Sequence, residues 1–188
     1  MKRIVLTGPE STGKTTLAEQ LAKHYSSIHV AEFAREFLNI LDRPYEQPDL
    51  LSIAKGQIDA DRSAQLRLRI KTNAKYSSRF RTKSIAQDIL ICDTDLRTIR
   101  LWSMVKYGSC HDWIEKQLAE ATVDLYLLCR PDLEWQPDPL REVQSPEEWK
   151  MLYEAYKTDL ERDAQPFVEI GGTGRIRFEA AIRAINRL

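Results

Sequence analysis

The chain has 188 residues with 28 Lys or Arg against 28 Asp or Glu, so its formal net charge is zero; 43% of residues are hydrophobic and 30% charged. That length and balance suit one compact domain, 1–188, with a sizeable core. They exclude recognition of nucleic acid or a membrane by overall charge, and no apolar run approaches the ~20 residues a membrane helix needs.

Short apolar runs alternate with longer helical faces, the pattern of a parallel α/β sheet. Residues 3–7 (RIVLT) read as a first strand, and the N-terminus enters it with no signal-peptide pattern. Thr15 to Tyr25 reads as a helix with Leu17, Leu21 and Tyr25 on one face, and Ile28 to Ala31 as a second strand. Phe33 to Leu41 is a helix that Pro44 and Pro48 end; residues 50–66 are another. Arg67 to Ser84 then carries seven Lys or Arg and no acid. It is either a solvated loop or helix extension, or a patch for an anionic partner. Ile89–Cys92 is a third strand, followed by helices over Thr98–Lys106 and Trp113–Ala121, and Val123–Cys129 is a fourth. Arg130–Glu142 holds three prolines and reads as a loop placed to act as a lid. Ser145, Pro146 and Glu148 start the next helix as N-cap, first residue and capping-box acid. Its apolar face is Trp149, Leu152, Tyr153, Tyr156 and Leu160; Phe167–Ile170 is a fifth strand, and Arg175–Leu188 a closing helix. Cys92, Cys110 and Cys129 form no metal spacing and read as reduced thiols of a cytoplasmic protein; His24, His29 and His111 form no ligand pattern.

Between the first strand and helix stands GPESTGKT, which fits G-x-x-x-x-G-K-[ST] in the strand-to-helix context that the motif requires. Gly8 and Gly13 let the backbone turn its N–H groups of residues such as Glu10, Ser11 and Thr12 onto phosphate oxygens, and the helix adds its positive end at Thr16. Lys14 supplies a full charge for the β- and γ-phosphates of ATP, and the Thr15 hydroxyl is a ligand for Mg²⁺. No Asn-Lys-x-Asp guanine motif is present, and the chain is short for a large ring ATPase. A small phosphotransferase fits instead.

Such an enzyme places acidic groups at the strand ends beside the phosphate loop. Asp93 after the third strand is the candidate metal-site acid, and Glu32 after the second the candidate base for an acceptor hydroxyl. Asp95 either contacts substrate or caps the helix from Leu96. Arg35, one turn beyond Glu32, either binds substrate or pairs with Glu32. Arg130 and Arg141 flank the proline loop, where a mobile guanidinium stabilises charge on a transferring phosphoryl group. The Gly171–Gly174 turn offers backbone for an adenine or is an ordinary turn. Trp113 and Trp149 read as core.

GPESTGKTTLAEQLA, AEFAREFL, ICDTDLRTIRLW and DLYLLCRPDLEWQPDPLRE together resemble the ribosylnicotinamide kinase domain of the NadR family over nearly the whole chain. The resemblance implies ATP- and Mg²⁺-dependent phosphorylation of the 5′-hydroxyl of nicotinamide riboside, on an α/β P-loop kinase-like three-layer fold with a five-stranded, mainly parallel sheet. It implies a phosphate site at Gly8, Gly13, Lys14, Thr15 and Thr16, an acidic motif at Asp93 and Asp95, a matching Trp102, and lid residues Trp135, Asp138 and Arg141. In the family an adenylyltransferase domain precedes this one; here Met1 stands almost at the first strand, so the kinase step alone is expected. Two features depart from the pattern: the basic insertion 67–84, and Arg97, a cation where a cationic pyridinium substrate would disfavour one. Such a substrate calls for aromatic faces and carboxylates, Trp102 or Trp135 with Asp138 or Glu134. The rival readings are a kinase for another nucleoside or for a nucleotide, with Arg35, Arg97 and Arg100 on an acceptor phosphate, and an ATP-dependent regulatory or nucleic-acid-binding protein using Arg79, Arg81 and Lys83.

Overall fold

The computed structural model describes residues 1–77, 88–134 and 145–188, the side chains of 73–77 excepted. Strands β1 (Lys2–Thr7), β2 (Ile28–Val30), β3 (Ile89–Asp93), β4 (Leu125–Cys129) and β5 (Phe167–Ile170) form one sheet in the order β2-β3-β1-β4-β5, every pairing parallel. All residues of β3 and β4 are buried, as unbroken apolar runs covered on both faces should be. The helices are α1 (Lys14–His24), α2 (Phe33–Ile40), α3 (Gln47–Ser77), α4 (Leu96–Tyr107), α5 (Asp112–Glu120), α6 (Pro146–Arg162) and α7 (Gly174–Ile185).

Alternate strand residues face opposite layers. Ile4, Leu6, Ile91 and Leu127 meet Leu17 and Leu21 of α1 and Ile185 of α7. Val5, Leu90, Tyr126 and Leu128 meet Leu68 of α3 and the expected apolar face of α6, Trp149 to Leu160. A third cluster joins α2, the first half of α3, α4 and α5 through Leu50, Ile53, Ile99 and Ile114. It stands beyond the carboxyl end of β3 and walls one side of the site. β1 lies between β3 and β4, and its register sets Leu6 opposite Asp93 and Thr7 opposite Leu128. This is the point where strand order reverses, so a crevice opens at these strand ends.

Most boundaries match the sequence reading to within two residues. α7, expected to run to Leu188, ends at Ile185, and the larger exception is α3, expected over 50–66. It begins at Gln47, with Pro48 in its first turn where a missing N–H costs nothing, and runs on through the basic stretch to Ser77. Arg67 to Lys71 are good helix formers, so the described part of the basic segment is a helix extension. Residues 78–84 of that segment and 135–142 of the proline loop lie outside the described residues. No helix among the described residues is long and apolar enough to cross a membrane.

One contact sets the approach of α2 to α3. A Cβ on Gly56 would meet Cε1 of Phe33 at 2.1 Å. Alanine normally stabilises a helix interior over glycine by about 1 kcal/mol. Here Gly56→Ala is expected to destabilise the protein, because overpacking by ~1–3 kcal/mol outweighs that gain. A thermal melt checks the sign; a raised Tm would show that Phe33 is free to yield.

Candidate functional site

The backbone after β1 turns sharply. Gly8 has φ +124°, and a Cβ there would stand 2.7 Å from the Cys129 carbonyl oxygen, so only glycine lets the loop pass the end of β4. Gly13, in the left-handed region, is the N-cap of α1. The loop is braced from three sides. The Thr12 hydroxyl donates to the Pro9 carbonyl at 2.8 Å. The Trp149 indole N–H donates to the Glu10 carbonyl at 2.6 Å. The guanidinium of Arg177, 4% exposed, donates to the carbonyls of Thr12 (2.8 Å), Gly172 (2.8 Å) and Arg130 (3.1 Å) and pairs with Asp132. Arg177 therefore fastens the loop to the starts of both the proline segment and α7. The sequence offers the stem of Arg177, or of Arg175, to an adenine beside the Gly171–Gly174 turn, not as a brace of the loop, and it does not mark the indole of Trp149 at all. Arg177 is one basic residue in an amphipathic helix, and Trp149 is buried in the core, as read, but with its polar atom turned to the loop.

The Lys14 ammonium donates to the carbonyls of Gly8 (3.0 Å) and Pro9 (2.6 Å), which holds its charge across the concave side of the loop. The Thr15 hydroxyl donates to Oδ2 of Asp93 at 2.5 Å. The other carboxylate oxygen, Oδ1, is buried and has no hydrogen-bond partner. A hydroxyl beside a carboxylate with a spare oxygen suits a hard divalent cation, which takes oxygen ligands. Thr15 and Asp93 thus fit Mg²⁺. Ser11 also has a buried, unpartnered hydroxyl and a positive φ of 58°. Thr16 is exposed.

A cleft with about 970 Å³ of empty space, its open mouth included, brings Gly8, Glu10 and Lys14 together with Glu32, Arg35 and Trp102. Its remaining wall was not foreseen: Tyr45, Gln57, Thr94 and Tyr156 contribute polar groups, and Leu50 and Ile99 apolar ones. Arg35 Nε lies 3.1 Å from Glu32 Oε2, so this arginine both faces the cleft and pairs with the acid. Burial pushes the Tyr156 phenol above its ordinary pKa, and the negative charges of Glu32, Glu10 and Asp95 add to this against the Thr98 hydroxyl.

Other marked residues stand elsewhere. Asp95 is not at the cleft: one oxygen accepts from the Arg97 N–H (3.0 Å), capping α4, and the other accepts from the Tyr126 hydroxyl (2.7 Å). The cause is Thr94, whose φ of +70° turns two acids only two positions apart in opposite directions. Arg97 does not approach the cleft either. It is 2% exposed, bonded to Asp159 and Asp163, with its Cζ 5.3 Å from the Tyr126 ring centroid. Burial works against its charge, but Tyr126, Asp163 and Asp159 outweigh it and push its pKa up. Arg100 shares both carboxylates. Arg130 is directed at Glu169 (2.6 Å), whose pKa Lys157, Tyr153 and Arg130 together lower to about 2 despite burial. Trp135, Asp138 and Arg141 lie outside the described residues.

Solved structures of NadR protein in complex with NR, and with NAD and AMP-PNP, superpose at TM-scores of 0.73 and 0.69 with 23% and 22% identity. Each alignment covers 99% of this chain but 51% and 49% of the NadR chains, so the chain spans about half their length. Thymidylate kinase from Ehrlichia chaffeensis matches at TM-score 0.60 and 15% identity, over 98% of both chains. The expected P-loop kinase fold is therefore present, and the NadR resemblance holds at the level of fold. A family model described as AAA domain matches residues 3–177, and the chain belongs to that family.

Proposed function

We propose that the chain is an ATP-dependent, small-molecule kinase whose acceptor is nicotinamide riboside. The observation that carries this reading is a cleft lined together by the phosphate-loop lysine, the Glu32 carboxylate just after β2, and the aromatic side chains of Tyr45 and Trp102. The γ-phosphoryl of ATP would lie against Lys14 and the loop amides. The acceptor hydroxyl attacks the γ-phosphorus, its proton passes to the Glu32 carboxylate, and the bond to the β,γ-bridging oxygen breaks to release ADP. Mg²⁺ held by Thr15 and Asp93 would supply charge neutralisation on the phosphate oxygens. Trp102 offers a face to a pyridinium cation, a contact worth about 0.5–2 kcal/mol, whereas the Tyr45 ring already has the Lys106 ammonium 3.6 Å from its centroid.

The arginines argue for a nucleoside over a nucleotide acceptor. Of Arg35, Arg97 and Arg100, the latter two are consumed by Asp159 and Asp163, and Arg35 is paired with Glu32. The NadR structure solved with NR, together with the sequence motifs, supports nicotinamide riboside as that nucleoside. The test is a panel of nicotinamide riboside, nicotinic acid riboside, common nucleosides and their monophosphates with Mg²⁺-ATP, with products read by mass. Turnover of nicotinamide riboside is expected; activity on monophosphates alone overturns the reading. Within it, Glu32→Ala should cut kcat by about a hundredfold or more and leave Mg²⁺ dependence unchanged, whereas Asp93→Ala should raise the Mg²⁺ requirement. Full turnover by Glu32→Ala would remove it as the base.

A further inference from the structure

α2 carries Glu32 as its N-cap residue; Arg35 of α2 pairs with the carboxylate, but the backbone on either side of residue 32 is held from elsewhere. The Glu32 side chain does not cap the helix, and none of the residues of α2 is fully buried. The anchor comes from α3. The primary amide of Gln57, 2% exposed, reaches the chain on both sides of residue 32. Its Oε1 accepts from the Phe33 N–H at 2.9 Å, and its Nε2 donates to the Ala31 carbonyl at 3.3 Å. The second N–H of Nε2 donates to Oδ1 of Asp61 at 3.3 Å, and Arg3 donates to Oδ2 of the same carboxylate at 2.5 Å.

We propose that Gln57 is a positioning residue for phosphoryl transfer, its amide bracketing Glu32 so that the carboxylate enters the cleft in one direction. The proposal rests on Glu32 being the base. The chemistry requires an amide. Phe33 N–H can only donate and Ala31 C=O can only accept, so the bracket needs an acceptor and a donor on one planar group. Asp61, an acceptor held by Arg3, fixes which way that group faces. Glutamate keeps the acceptor but loses the donor and sets a second carboxylate against Asp61; methionine keeps the length and loses both. A swing of the base by an ångström is enough to cost about a hundredfold in rate.

The experiment compares wild type, Gln57→Glu and Gln57→Met, each alone and combined with Glu32→Ala, with thermal melts run alongside. Gln57→Asn, which keeps the amide one methylene short, serves where a larger change prevents folding. The expected result is a fall in kcat of about tenfold or more in each single variant, with the KM for ATP within about twofold of wild type. In the Glu32→Ala background the same substitutions should lower kcat by less than about twofold, since the two residues act as one unit. A wild-type kcat in the folded Gln57 variants overturns the proposal, as does a full further loss on top of Glu32→Ala, which would mark a general structural role. Failure of the wild type to phosphorylate any acceptor overturns both this proposal and the reading of the site; an active wild type with indifferent Gln57 variants overturns the proposal alone.

Discussion

Lys14→Met should lower kcat/KM by about three orders of magnitude while shifting Tm by no more than about 2 °C. The asymmetry follows from what the ammonium touches. In the protein it donates to two backbone carbonyls at the rim of the loop, Gly8 and Pro9, on a half-buried stem. Methionine retains most of that stem, and the freed carbonyls face a solvent-accessible cleft, so little stability is lost. Catalytically, the described residues offer no substitute for that charge. Arg177 is spent on bracing the loop from behind, and Arg35 is tied to Glu32. Lys14→Arg should rescue little, because a planar fork replaces a compact point charge between two carbonyls. Steady-state kinetics beside a thermal melt checks both halves. A variant that loses Tm in step with activity would show that Lys14 holds the loop's shape and is not specific to the reaction.

The local chemistry of the chain announced much of this. The glycine spacing, the run Ile89–Cys92 and the Ser145–Pro146 start of α6 each state their structure through backbone geometry, burial or a cap, and all three stand where expected: the Ser145 hydroxyl accepts from the Glu148 N–H. Glu32 reaches the cleft because it follows the end of β2, and Arg35 and Trp102 line the same cleft from α2 and α4. What the sequence could not show depends on non-local partners or on a rare backbone state. Asp93 and Asp95 look equivalent as letters, and a threonine at φ +70° is what separates them. Gln57 in mid-helix reads as a solvated polar residue, since its partners Ala31 and Phe33 are more than twenty positions away. Arg97 and Arg100, one turn apart on α4, seemed available for an acceptor phosphate until α6 supplied Asp159 and Asp163, also one turn apart. Helical spacing marks each pair as a face, but not which faces meet.

That meeting carries the largest expected stability effect. Asp159 is buried and accepts from Arg97, Arg100 and, at 3.0 Å, Arg162. Asp159→Ala leaves two guanidinium groups, 2% and 8% exposed, sharing the Asp163 carboxylate at 2.8 Å each, with a longer contact from Arg100 to Glu115 (3.4 Å) and one from Arg97 to the carbonyl of residue 159 (3.1 Å). Breaking one side of a buried ionic cluster costs about 3–5 kcal/mol, so Tm should fall by roughly 10 °C in a chain of this size. Exchanging the group as a whole, Asp159→Leu with Arg97→Met and Arg100→Met, should recover most of that loss, because no buried charge is then left unpaired. Acid provides an independent test. Burial would raise the Asp163 pKa, but Arg162, Arg97 and Arg100 prevail and hold it well below the usual carboxylate range. A depressed folded pKa contributes stability above the unfolded value of about 3.9, and that stability is lost as pH falls through the folded value. Asp163→Asn should therefore lower Tm at neutral pH, and the gap to wild type should narrow as pH drops below about 4. A gap independent of pH would mean that Asp163 acts through packing and not through its charge. In either variant the phosphate loop keeps its own braces, Trp149 and Arg177, so folded Asp163→Asn should retain its nucleotide affinity while losing thermal stability.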